Sequence, residues 1–116
     1  MCGIAIAIGL NGRPIERVAV ERMAKSLLHR GPDDGGIYLD GAVGMGFRRL
    51  SILDLSEAGH QPMVSEDGQY VLVFNGEIFN YVELRSELRQ LGYQFRSSGD
   101  SEVLLAAYRE WGRECL

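Results

Sequence analysis

Cysteine is scarce in this chain of 116 residues: there are two, Cys2 and Cys115, near opposite ends. So small a supply rules out a disulfide-dense scaffold. A lone Cys2–Cys115 staple would be an odd device for a sequence with this much apolar content, so reduced thiols in a cytoplasmic setting are expected. Histidine is equally sparse. His29 and His60 stand alone, without the paired Cys or His spacing of a zinc site, and no metal is expected. Long apolar runs are missing too. The longest, "IAIAIGL", is far too short to span a bilayer and has neither a basic leader nor a cleavage site, so no membrane span or signal peptide is expected. Nor is there an excess of basic charge. A formal net charge of -4 and a pI of about 5.1 leave no electrostatic footprint for nucleic acid.

What remains is the composition of a folded domain. Hydrophobic residues make up 46% of the chain and charged residues 24%, which at this length is at most one domain. No internal repeat or low-complexity linker interrupts it.

Periodicity divides the chain into elements. Residues 3–10 alternate Ile4, Ile6, Ile8 and Leu10 with Gly3, Ala5, Ala7 and Gly9, the period of two that marks a strand, here expected to pack closely on both sides. Asn11-Gly12 is a turn pair. Beyond Pro14, Ile15, Ala19, Met23 and Leu27 recur every four residues, with Val20, Ala24 and Leu28 widening the stripe, so an amphipathic helix is predicted before "GPDDGG". Asp40-Gly41 between two apolar runs predicts a hairpin, and Asp67-Gly68 within "MVSEDGQYVLVF" predicts another. "RRLSILDL" continues or follows the first hairpin's second strand. "NYVELRSELRQLG" reads as a helix stopped by Gly92. "DSEVLLAAYREWG" reads as a second, with Asp100 or Ser101 at its start and Gly112 at its end. The order strand, helix, three or four strands, helix, helix defines an α+β class with mainly antiparallel pairing.

Four features carry chemistry, and each also has a plain structural explanation. Cys2 follows Met1, and aminopeptidases remove a start methionine when the next residue is small. The mature chain would then open on a thiol nucleophile and an α-amine of pKa about 7.7–8.0, close to the range in which a general base works well. On position alone, a small residue that happens to open a buried strand is the favoured reading of Cys2. Asn75-Gly76, at the end of "YVLVF", offers a side-chain amide and a backbone N–H, the donors of an oxyanion hole, but Asn-Gly is also the commonest hairpin dipeptide. Arg48 and Arg49 are adjacent at a strand end and point to opposite faces, so one can be buried to grip a carboxylate while the other is solvated, though without other support a surface pair is the favoured reading. Asp100 sits where helix caps usually sit.

In register, these segments are more specific than any one of them. "MCGIA", "LLHRGPDDGG", "GFRRLSILDLSEAGHQPM", "VFNGEIFNYVELR" and "GYQFRSSGDSEVLLAAYREWG" follow the order found in class II glutamine amidotransferases, and the chain most resembles the N-terminal glutaminase domain of the glutamine-dependent asparagine synthetases. The resemblance implies an N-terminal nucleophile hydrolase fold, a four-layer αββα sandwich of mainly antiparallel sheets, of which residues 1–116 are expected to be the N-terminal part. It further implies that Cys2 attacks the side-chain amide of glutamine to give a γ-glutamyl thioester and ammonia, with its own amine as base. On this resemblance Asn75 and Gly76 match the oxyanion hole, Arg49 the grip on the substrate α-carboxylate, and Glu77 and Asp100 the hold on its ammonium, while Leu53 contributes backbone only. "HRGPDD" is expected to form a loop near the nucleophile, with His29 not a base.

The same resemblance implies that the family domain continues past "EWG" with further strands and then an ATP-pyrophosphatase synthetase domain. ATP and magnesium belong to that domain, and no cofactor is expected here. A synthetase domain or subunit is the expected partner, amidation of aspartate the expected use of the ammonia, and the isolated chain is expected to be weak or inactive. A polysaccharide or peptide amidotransferase, whose relatives share "RRLSILDLSEAGHQP", is the alternative acceptor. A non-catalytic docking module or fragment is the alternative class. One departure stands out: the family's "CGIAG" plus a bulky residue is here "CGIAIA", so Ile6 occupies a small position and Ala7 a bulky one. A compensating small neighbour, Gly44 or Gly46, is expected.

Overall fold

The computed structural model describes residues 1–51 and 56–116. Its elements are strand β1 (Gly3–Ile8), helix α1 (Arg17–Ser26), strands β2 (Asp34–Asp40), β3 (Val43–Arg49), β4 (Met63–Val64) and β5 (Val71–Leu72), and helices α2 (Tyr81–Gln90) and α3 (Ser101–Trp111). All strand pairing is antiparallel. The order and the α+β class agree with the sequence reading.

The described residues form two compact units. One holds β1, α1, β2 and β3 together with His60–Pro62 and Val73–Asn75. The other holds β4, β5, α2 and α3, including Met63–Leu72 and Gly76–Leu116.

In the first unit β3 is the central strand of a three-stranded sheet ordered β1-β3-β2. Asp40 and Val43 close the hairpin, with Gly41 at φ 52°, a left-handed conformation that glycine adopts without strain. The register sorts the side chains by face. Ala5 lies opposite Gly46 and Ala7 opposite Gly44, while Ile4 lies opposite Phe47 and Ile6 opposite Met45. Helix α1 covers the small-residue face and approaches it closely. A Cβ on Gly44 would stand 2.6 Å from Val20 Cγ2, and one on Gly46 3.0 Å from the Ala24 Cβ. Val20 and Ala24 are the buried residues of α1, whereas Ala19 and Met23, expected on the buried stripe, are exposed. The face against the sheet thus combines Val20 and Ala24 with Ile15 and Leu27, which lie against Gly44 and Gly3, while Leu28 is exposed. Ile6 is 47% exposed on the other face, so it needs no small neighbour. Gly44 and Gly46 instead make room for the helix. The expectation of close packing on both faces of β1 is corrected accordingly: Ile4, Ile6 and Ile8 are exposed.

In the second unit Leu88 of α2 and Val103, Ala106 and Ala107 of α3 form the core, flanked by Leu84, Tyr93, Phe95 and Trp111. Each fully buried large side chain there stabilises by about 1.5–3 kcal/mol relative to exposure. Gly92 (φ 100°) and Gly112 (φ 59°) end the two helices as expected. "YVLVF" is strand only at Val71–Leu72.

Candidate active site

The β1–β3 register decides where Cys2 lies. Its last pair is Gly3 with Arg48, so Cys2 falls one step beyond, level with Arg49. On the other side of β3, Arg49 pairs with Asp34. The three-stranded sheet therefore places Cys2, Arg49 and Asp34 in a row, and strand alternation gives them one face.

The thiol lies against the residue after β3. Leu50 N–H donates to Cys2 Sγ at 3.4 Å, and Sγ donates toward the Leu50 carbonyl at 3.7 Å. The Cys2 backbone N–H donates to Asn75 Oδ1 at 3.1 Å. An N–H can only donate, so the Asn75 amide must present its oxygen here, which turns Nδ2, with both its protons, the other way. The Cys2 carbonyl accepts from Arg30 Nε at 3.0 Å. Cys2 is thus held at nitrogen, carbonyl and sulfur. Met1 is 73% exposed. Both cysteines are free thiols.

Arg30 reaches Cys2 because the loop between α1 and β2 is stitched to the end of β3. Gly31 lies so close that a Cβ would stand 2.4 Å from the Arg48 backbone. Arg48 donates to the carbonyls of Gly31 (2.9 Å) and Pro32 (3.2 Å). Asp33 N–H donates to the Arg49 carbonyl at 3.0 Å, and its carboxylate accepts from Ser51 N–H at 2.8 Å. "HRGPDD" is a loop beside Cys2, as expected, and His29 is exposed. The adjacent arginines separate as strand geometry requires: Arg48 ties down the loop, and Arg49 is buried, with 8% exposure.

Asp34 carries a further pair that the sequence did not suggest. His60 Nδ1 lies 2.7 Å from Asp34 Oδ2, and Gly35 N–H donates to Oδ1 at 2.7 Å. Burial alone would raise the Asp34 pKa. The hydrogen bonds from His60 and Gly35 and the positive charges of His60 and Arg49 outweigh that and lower it below its ordinary 3.8. Next to His60, Gln61 is buried and its Oε1 accepts from Phe74 N–H at 2.6 Å, one residue before Asn75.

Gly76, Glu77 and Asp100 belong to the second unit. Asp100 is buried and makes no side-chain cap on α3; its Oδ2 accepts from Ile78 N–H at 3.0 Å, next to Glu77. Glu102 satisfies that corner instead, accepting from the N–H groups of Arg96 and Ser97 and from the Ser97 hydroxyl. Arg85 donates to the Gly99 carbonyl at 2.5 Å. Leu53 lies outside the described residues. Arg30, the Leu50 backbone, Asp34, His60 and Gln61 are the contacts that sequence reasoning missed. Of these only the loop had a legible signal, the Gly31 in "RGPDD".

The Cys2 thiol one register step beyond the Gly3–Arg48 pair, with Asn75 on its nitrogen and an antiparallel α+β framework around it, is consistent with the glutamine amidotransferase family. The chain belongs to that family: the sequence model for the glutamine amidotransferase domain matches residues 1–116. Among its relatives, asparagine synthetase (glutamine-hydrolyzing) 1 of Bacillus subtilis is 47% identical over 120 residues, covering 98% of this chain and 18% of that protein. A putative asparagine synthetase (glutamine-hydrolyzing) of Mycobacterium tuberculosis is 48% identical over 108 residues, covering 84% of this chain and 16% of that protein. Asparagine synthetase (glutamine-hydrolyzing) 3 of Bacillus subtilis is 38% identical over 119 residues, covering all of this chain and 19% of that protein. The chain thus spans less than a fifth of the length of these relatives. No helix among the described residues is long and apolar enough to cross a membrane.

Proposed function

We propose that this domain hydrolyses glutamine through Cys2 once Met1 has been removed, and that the ammonia serves an ATP-dependent synthetase domain or subunit that amidates aspartate. The observation that carries the reading is the pair of contacts at Cys2: its nitrogen on Asn75 Oδ1 at 3.1 Å and its sulfur on Leu50 N–H at 3.4 Å. Removal of the exposed Met1 turns that nitrogen into a primary amine, and Asn75 then orients the base beside the thiol.

The chemistry follows from these groups. The amine takes the thiol proton, and Leu50 N–H supports the thiolate. Sulfur attacks the side-chain carbonyl carbon of glutamine. The resulting oxyanion takes hydrogen bonds from Asn75 Nδ2 and, on this reading, the Gly76 N–H. The ammonium returns its proton to the leaving nitrogen as the C–N bond breaks, which releases ammonia and leaves a γ-glutamyl thioester. The free amine then activates water, which cleaves the thioester to glutamate and restores the thiol. Arg49 is assigned the α-carboxylate in a two-pronged contact. Glu77 and Asp100 are assigned the α-ammonium, because a zwitterion needs acids as well as a cation. No step in the hydrolysis calls for a cofactor. ATP and magnesium belong to the synthetase chemistry.

Steady-state release of glutamate and ammonia from glutamine by the full-length protein tests this. Activity is expected only when Met1 is absent. A variant carrying an uncleavable residue before Cys2 is expected to lose at least about 10³-fold in kcat, since it has a nucleophile but no base. Full activity in that variant contradicts the reading.

A further inference from the structure

His60 and Gln61 lie outside the proposed chemistry, yet their contacts close a ring around it. Asp34 is the cross-strand register partner of Arg49, near enough for the Arg49 charge to act on its carboxylate, and His60 Nδ1 holds that carboxylate at 2.7 Å. The next residue, Gln61, accepts from Phe74 N–H at 2.6 Å, and Asn75 after it holds the Cys2 nitrogen at 3.1 Å. Cys2 in turn lies level with Arg49. A third contact sets how deep this segment sits. A Cβ on Gly36 would stand 2.3 Å from the Gln61 carbonyl oxygen and 2.6 Å from His60 Nε2, so β2 offers a glycine where residues 60–62 lie against it.

We infer that His60 and Gln61 are the positioning residues of the site, His60 holding Arg49 through Asp34 and Gln61 holding Asn75 through the Phe74 backbone; this deepens the proposed function and rests on its assignment of Arg49 and Asn75. The two arms differ in physical character. The Asp34–His60 pair is partly exposed, with side chains 35% and 47% accessible, and such pairs contribute little to stability. Its effect lies in direction. It fixes a negative charge opposite Arg49, which restrains a long guanidinium side chain to the face that meets the substrate carboxylate. Gln61 is buried, and its short bond to a main-chain N–H fixes the backbone from which Asn75 projects. Arg49 acts on ground state and transition state alike, whereas Asn75 acts where negative charge develops. The arms should therefore separate in kinetics, His60 in KM and Gln61 in kcat.

The test is glutamine hydrolysis by the full-length protein, with competent enzyme counted by stoichiometric labelling of Cys2 with a glutamine-like chloroketone. His60→Ala is expected to raise KM roughly tenfold with kcat nearly unchanged, and His60→Asn, whose amide N–H can stand in for Nδ1–H, to recover most of it. Gln61→Met is expected to lower kcat roughly tenfold or more with KM nearly unchanged, and Gln61→Glu, which keeps an acceptor oxygen, to recover most of it. Should Gln61→Met fail to fold, Gln61→Asn, one methylene short of Phe74, is expected to show the same kcat loss. Parallel changes in both parameters, or a change only in the labelled fraction, overturn the inference. Arg49→Lys and Asn75→Ala run alongside. If these shift KM and kcat respectively while the His60 and Gln61 variants do not, the inference alone fails. If they shift neither, the proposed function fails with it.

Discussion

The main-chain nitrogen of Cys2 donates to the side-chain oxygen of Asn75 at 3.1 Å, across 73 positions of sequence. One asparagine can thus serve two partners: its oxygen faces the Cys2 nitrogen, and its amide protons are the ones proposed to meet a developing oxyanion. The pair joins the proposed base, the Cys2 amine, to the side chain that carries one proposed oxyanion donor.

Asn75→Ala should therefore damage two functions at once. A fall in kcat of about 10²–10³-fold is expected, the usual loss for one oxyanion donor, with a smaller change in KM. Asn75→Asp separates the roles. A carboxylate beside the terminal amine stabilises its protonated form, so the acidic limb of the pH–kcat profile should move to higher pH. A limb that stays in place in Asn75→Asp would argue against contact between this side chain and the base.

Packing of α1 on the sheet depends on the absence of a side chain at Gly44, where Val20 Cγ2 and Ile15 Cγ2 would lie 2.6 and 2.8 Å from a Cβ. Gly44→Val is expected to destabilise by about 1–3 kcal/mol through overpacking, read as a lower denaturant midpoint at unchanged slope. Ile6→Val, on the exposed face of β1, is the comparison variant and should shift the midpoint far less.

Acid stability should report on Asp34. Its pKa is lower folded than unfolded, so it favours the folded state above its ordinary value of 3.8, and that contribution disappears as pH falls through the folded pKa. Asp34→Asn should therefore flatten the loss of stability below about pH 4, at a cost near neutral pH of no more than about 1 kcal/mol for so exposed a pair. Urea midpoints between neutral pH and pH 3 measure this. An acid limb equally steep in both proteins would show that the His60 contact does not persist in solution.

Much of this architecture was legible because local chemistry and tertiary packing agree. Asp40-Gly41, Asp67-Gly68, Gly92 and Gly112 mark two hairpin turns and two helix ends where the sequence puts them. In α1, periodicity put Ile15, Ala19 and Met23 together with Val20 and Ala24 on one broad stripe and could not single out the buried Val20 and Ala24, because the glycines that admit the helix lie on β3. Asp100 resembled a cap by position, but its carboxylate serves Ile78 and Glu102 binds the backbone before α3. Cys2, Arg49 and Asn75 were identified by family pattern; the β1–β3 register then brings Cys2 level with Arg49, and a hydrogen bond ties Cys2 to Asn75. His60 and Gln61 escaped notice because their partners, Asp34 and Phe74, are distant in sequence and no spacing pairs the segments that hold them.

The most direct measurement is mass spectrometry of the full-length protein quenched during turnover with glutamine, followed by digestion to find the N-terminal peptide. That peptide should begin at Cys2 and carry one glutamyl group as a thioester on sulfur, removable by hydroxylamine and absent from Cys2→Ala, which should release no ammonia. Undiminished glutamine hydrolysis with Met1 still attached, or with alanine at position 2, would contradict the account.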